Sequence, residues 1–138
     1  MPNLEDVCYE LARIAEDKRH QGHYMSSIRL NLLLYCSQGC HLALYNEPLF
    51  ENSFSSYANG PVVYKMPSEF QANFIRLGEK GNGLPKSVKS FLKNVYREFG
   101  EFSTWSLRER LRCQYTWHED SGPIDMDDMK KYFKSQMC

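Results

Sequence analysis

The 138-residue sequence has no hydrophobic run longer than Leu32-Leu33-Leu34-Tyr35-Cys36. That is far short of the ~18 to 20 residues that span a bilayer, so a transmembrane helix is excluded. Charge of one sign is also lacking: 17 Lys plus Arg face 17 Asp plus Glu. A protein that wraps nucleic acid must neutralise many phosphates, and net neutrality argues against that class. Cysteine is sparse and odd in number, at Cys8, Cys36, Cys40, Cys113 and Cys138. Irregular spacing of an odd set is not a disulfide framework and fits reduced thiols. The N-terminus MPNLEDVCYE has no basic apolar leader, from which a cytoplasmic location is expected. Internal repeats, low-complexity tracts and linkers are absent, as are the P-loop, the Gly-rich dinucleotide fingerprint, the nucleophile elbow and H-E-x-x-H.

What is present describes one ordinary globular domain over residues 1–138. Hydrophobic residues make up 42% and aromatics 14% of the chain. A domain of this length buries roughly 65 to 70% of the surface its unfolded form exposes, enough for a core without metal or disulfides. Charge is unevenly spread, with ten bases against five acids over 65–112 and three against five over 113–138. That is surface polarity without a named partner.

Hydrophobic periodicity predicts a mainly α fold, a compact bundle of about six helices around a central apolar helix, with a small β-hairpin. Leu4, Val7, Cys8, Leu11, Ile14 and Ala15 recur at steps of three and four, predicting a helix from 4 to about 17 with Asn3 as its cap. Ser26 or Ser27 opens a second, from about 27 to 45, that is apolar nearly all round and so belongs at the centre. Gly39 within it predicts a close helix contact. Asn59-Gly60 between short aromatic and β-branched runs predicts the hairpin, with Pro61 limiting where the second strand pairs. A helix start at Pro67-Ser68-Glu69 running to about 77 is followed by a glycine-rich loop from Gly78 to Pro85. Pro85 opens a strongly periodic helix that Gly100 ends, with Val88, Phe91, Leu92, Val95, Tyr96 and Phe99 inward and Lys86, Lys89, Lys93 and Arg97 outward. Ser103 or Thr104 caps a helix over about 104–113, with Trp105 and Phe99 expected in the core. A last helix runs from Asp125 to about Phe133, acids at its positive end and lysines at its negative end.

A family resemblance rests on Leu30-Asn-Leu-Leu-Leu-Tyr35-Cys-Ser-Gln38-Gly39-Cys-His41-Leu42-Ala43-Leu44-Tyr45, then Pro48-Leu49-Phe50, then Gly60-Pro61-Val62-Val63. Later elements continue it: Val95-Tyr96 through Phe99-Gly100, Ser103-Thr104-Trp105, Trp117, and Ile124 through Tyr132-Phe133. In this order they resemble the Panacea domain of SocA-like antitoxins and of phage-associated proteins of the GepA type. The resemblance implies a mainly helical domain that works by protein contact, with a cognate toxin as partner and, in the SocA type, delivery of that toxin to a Clp-type protease. A phage or prophage protein inhibiting a host defence protein is the alternative in the same class. The chain departs from the pattern at Cys40, Tyr57 and Asn59, where aromatics or Trp are usual, and at Arg112-Cys113 and Thr116.

Chemistry is thin beside this. Cys36, Cys40 and His41 share a helix face and have zinc-compatible donors, but one C-x3-C-H without a second pair is a weak signal, and buried free cysteines are ordinary small hydrophobes. His41 is expected to hydrogen-bond within the core. No metal or cofactor is expected and no catalytic residue is assigned. A Cys/His-dependent hydrolase and a DNA-binding autoregulator using Arg108, Arg110 and Arg112 stay as alternatives. For partner contact, the aromatics in irregular segments are the candidates: Phe50, Phe54, Tyr57, Tyr64, Tyr115 and Trp117. Closure of the core around the central helix is the competing role for each.

Overall fold

The computed structural model describes residues 1–17, 25–57, 60–70, 83–112 and 122–137. Helix α1 (Leu4–Asp17) starts where Asn3 Oδ1 accepts from the Glu5 amide at 2.7 Å, and it buries Leu4, Val7, Cys8, Leu11, Ile14 and Ala15. Helix α2 (Ser27–Tyr45) is capped by Ser26, whose hydroxyl accepts from the Arg29 amide at 3.1 Å. It ends at Asn46 in the left-handed region, φ 59°, a conformation asparagine tolerates better than most residues. Buried on all sides from Arg29 to Cys40, α2 touches α1, the hairpin and the three later helices.

Strands β1 (Phe54–Tyr57) and β2 (Gly60–Val63) form the antiparallel hairpin, and a two-residue strand β3 (Gly122–Pro123) pairs with β1 on its other side, giving the order β2-β1-β3. Gly60 has φ 123°, which only glycine adopts without strain. Phe54 and Val63 point into the core while Ser55, Tyr57, Val62 and Tyr64 point out, the period of two expected of a half-buried ribbon. Helix α3 (Lys86–Phe99) buries the stripe Phe91, Leu92, Val95, Tyr96 and Phe99. Helix α4 (Thr104–Arg112) is capped by Ser103, whose hydroxyl accepts from the Ser106 amide, and α5 (Met126–Met137) by Asp125, which accepts from the amides of Asp127 and Asp128.

Among the described residues there are five α-helices. Of the helix expected from Pro67 to about 77, a single 3-10 turn, Ser68–Phe70, is described; 71–82, with most of the glycine-rich loop, lie outside the described residues. The expected core position of Trp105 is a correction. Its side chain is 68% exposed, because the short α4 meets the core only through Leu107 and Leu111, and Trp105 falls on the opposite side of the turn. Phe99 does pack inside.

Candidate protein-binding surfaces

The central helix is not the uniformly apolar rod its composition suggests. Three buried polar side chains on it hold irregular backbone in place. Arg29 donates to the carbonyls of Gly100 at 2.5 Å and Phe102 at 2.8 Å, fastening the α3–α4 turn. Asn31 Oδ1 accepts from the Val63 amide at 2.9 Å while its Nδ2 donates to Ser27 O. Gln38 accepts from the amides of Leu49 and Phe50, at 2.7 and 3.3 Å, and donates to Phe50 O at 2.8 Å. Each pays for its burial with hydrogen bonds to backbone groups that would otherwise be orphaned. Gly39, next along, has no room for a side chain: a Cβ there would lie 2.0 Å from Cδ2 of Phe133 on α5.

Of the aromatics expected to face a partner, Phe50 and Phe54 are core residues, a correction to their candidacy. Their rings lie 6.0 Å apart, and Phe54 meets Tyr35 edge-on at 5.5 Å. The Gln38 clamp turns the Leu49-Phe50 backbone inward, and the strand alternation does the same for Phe54. Tyr57 and Tyr64 project from the hairpin's outer face, 48% and 62% exposed, with the exposed Val62 between them in register. Tyr115 and Trp117 lie outside the described residues.

The hairpin's free edge is blunted. Tyr64 N donates to Ser53 O, so the even-numbered residues of β2 bond toward β1 and the odd ones face away. Those odd positions are Pro61, which has no N–H, and Val63, whose N–H is taken by Asn31. Strand addition finds no free donor there.

A second surface went unread in the sequence. A groove of about 670 Å³ runs between the C-terminal half of α2 and α3, closed by Tyr132 of α5 and Arg110 of α4. Cys40, Phe91, Val95 and Phe99 form its floor, while Leu44 and Tyr45 stand 54% and 57% exposed on its wall. The available signal was the apolar run continuing to Tyr45, directly against the Asn46 cap, so that its last turn overshoots the core. His41 sits half-buried beside this wall rather than in the core. Its Nδ1 is 2.6 Å from Glu47 O and therefore carries the proton, and its ring packs against Tyr45 and Phe91.

The thiols on α2 are chemically quiet. Burial pushes Cys36 well above its ordinary value, with Cys40 adding to the effect, and burial followed by the charge of Glu98 pushes Cys40 up to about 12. Burial thus disfavours the thiolate that a nucleophile needs. No cluster of three or more metal-ligating side chains occurs among the described residues, and no helix among them is long and apolar enough to cross a membrane.

The family model of the antitoxin SocA-like Panacea domain matches residues 30–118, more than half of the chain. The protein belongs to the Panacea family. No curated protein and no solved structure matches it. Within this Panacea domain, the motif residues Tyr35, Gln38, Gly39, Leu49, Phe50 and Val63 are buried, while Leu44, Tyr45, Val62 and Trp105 of the same motifs are exposed. The buried part of the signature builds the scaffold, and the exposed surface carries signature residues, Leu44 and Tyr45, beside Tyr57 and Tyr64 outside it.

Proposed function

We propose that this protein is a cytoplasmic antitoxin that binds and neutralises a partner toxin by contact, without chemistry of its own. Membership of the Panacea family over residues 30–118 carries this reading. The outer face of the hairpin supports its placement: two tyrosines and a valine, ordered by a paired strand, offer large rigid apolar area at low entropic cost. Protonated, buried thiols and a His41 engaged by backbone favour binding over a Cys/His hydrolase.

The test is affinity capture of the tagged protein from its native host, followed by expression of the main binder with and without it. The expected result is a toxic binder whose toxicity is relieved by co-expression. Tyr57→Ala and Tyr64→Ala should each weaken binding by more than about 1 kcal/mol while the fold is retained. Following the toxin's half-life then separates occlusion, which leaves it unchanged, from delivery to a Clp-type protease, which shortens it. A host defence component as the captured partner would replace the antitoxin reading with inhibition of defence, and the absence of any stoichiometric protein partner would overturn contact-based function altogether.

A further inference from the structure

The outer face of α3 has a charge pattern that its role in the fold does not explain. Lys86, Lys89, Lys93 and Arg97 fall on one stripe, three to four residues apart, turned away from the buried Phe91, Leu92, Val95 and Phe99. None of the four forms an ion pair among the described residues. Lys86 and Lys89 stand in the first turn, where the macrodipole favours acids, and no acid stands there. Lys89, Lys93 and Arg97 are like charges four residues apart, which also works against the helix. The stripe is therefore not there for helix stability. Beside it stand Ser87, Ser90 and Asn94, all exposed, so about half of the helix circumference is cations and short hydrogen-bonding side chains. Glu98 borders that arc, and Asp6 of α1 lies beside Gly83, ahead of the helix, without pairing with Lys86. The cations of α4, by contrast, are engaged: Arg108 and Arg112 pair with Glu109 at 2.9 and 3.6 Å, and Arg110 lies over the Phe102 ring at 5.0 Å. Neutrality of the whole chain hides a segregation, since α1 holds five acids against Arg13 alone and residues 83–112 hold seven bases against three acids.

We propose that this face of α3 docks on the phosphate backbone of duplex DNA, without regard to base sequence. Phosphates are held by Lys and Arg together with short donors such as Ser and Asn, which is what the face offers. Other anionic partners each need a feature it lacks. The centre of a protein interface is apolar and poor in lysine, whereas three of these four cations are lysines and no large apolar side chain of α3 is exposed. A membrane-bound helix inserts its apolar side, and α3 has already buried that side in the core. A single strand is held by stacking bases on aromatic rings, and α3 exposes none. A convex helix face fits the major groove of B-DNA, about 12 Å wide, and not the narrow major groove of an RNA duplex. From Lys86 to Arg97 the stripe is about 16 Å long, over which one DNA strand presents about five phosphates, a number that four cations match. The face shares no residue with the hairpin, so the protein can hold DNA and a protein partner together, and the proposal does not rest on the antitoxin reading.

Fluorescence anisotropy of a short labelled DNA duplex, titrated with the full-length protein at several salt concentrations, tests this directly. The logarithm of the affinity should fall with the logarithm of salt at a slope of about −3 to −4, as four neutralised phosphates require. A duplex of unrelated sequence should bind equally well. Lys86→Gln/Lys93→Gln should reduce the slope by about two, with no loss of the urea midpoint because both side chains are outside the core. Lys86→Arg/Lys93→Arg should keep the slope, as should Arg108→Gln/Arg112→Gln on α4. The proposal is overturned by no binding at low salt, by a slope that Lys86→Gln/Lys93→Gln does not move, or by tighter binding to a single strand or an RNA duplex of the same length. Displacement of the duplex by phosphatidylserine vesicles, or by an acidic protein captured from the host, would overturn it equally. DNA binding of the expected slope with failed toxin neutralisation would sink the antitoxin reading alone, and the reverse would sink this one alone.

Discussion

Gln38 and Trp105 show how far the identity of a side chain is from its role. Glutamine is ordinarily a surface residue, yet here it is fully buried and bonds three backbone groups of Leu49 and Phe50. Tryptophan is ordinarily well buried, yet Trp105 is largely in water. Gln38→Ala should therefore destabilise the protein by about 3 kcal/mol, since it removes the partners of buried backbone groups that no water can reach. Trp105→Ala should change stability by less than about 0.5 kcal/mol. Urea unfolding of the two variants checks both values. A Trp105→Ala loss comparable with that of Gln38→Ala would place the indole in the core after all. Neither position was legible beforehand, because burial depends on which neighbours arrive from distant parts of the chain.

Between elements, α2 and α5 meet closely at Gly39. Gly39 admits the Phe133 ring into the space its own side chain would fill, and Phe133 in turn meets Tyr35 and Phe99 edge-on at 5.6 and 6.0 Å. Gly39→Ala should cost about 1–3 kcal/mol by overpacking, despite alanine's better helix propensity. Adding Phe133→Leu to Gly39→Ala should recover part of that loss. A double-mutant cycle with no coupling between the two positions would contradict the contact. The close approach at Gly39 was foreseeable from a glycine in an apolar helix, as was the hairpin from Asn59-Gly60. Strand β3 was not, because Gly122 and Pro123 have little strand propensity and are strand only through pairing with β1.

For the protein as one folded body, the buried thiols predict a loss of stability in alkali. Cys8, Cys36 and Cys40 are buried, and burial raises all three thiols above their ordinary value of 9.0, Cys40 to about 12. Tyr9, buried and donating to Glu69 at 2.9 Å, is likewise pushed up to about 12, first by burial and then by that hydrogen bond. Above pH 9 the unfolded chain releases thiol protons that the folded chain retains, so the folded state binds more protons and stability falls as pH rises. Below pH 9 both states are protonated and the contribution is complete. With three thiols involved, the slope approaches about 4 kcal/mol per pH unit once the unfolded thiols ionise. Circular dichroism against pH, with reductant present, should show cooperative unfolding between about pH 10 and 12 that moves upward when Cys8 and Cys40 are replaced by Ala or Val with the fold retained.

The periodicity of apolar residues was sufficient to place α1, α2, α3 and α5 to within a few residues, because a helix writes its buried stripe into local sequence. The cap Asn3 was readable for the same reason, and Ser26 and Ser103 to within one residue, since each acts on backbone groups within three positions of itself; Asp125, expected as the first residue of the last helix, caps it instead. Which aromatics turn inward was decided only when the chain closed on itself. Phe50 and Tyr57 look alike as members of irregular segments, and the difference between them comes from the Gln38 clamp and from a strand parity set by pairing with β2. The groove likewise exists only between α2 and α3, with walls lent by α4 and α5, so no single segment carries its record. Local geometry depends on neighbours in sequence and is legible there. Burial, edge protection and concavity depend on residues far apart in the chain, and packing alone brings them together.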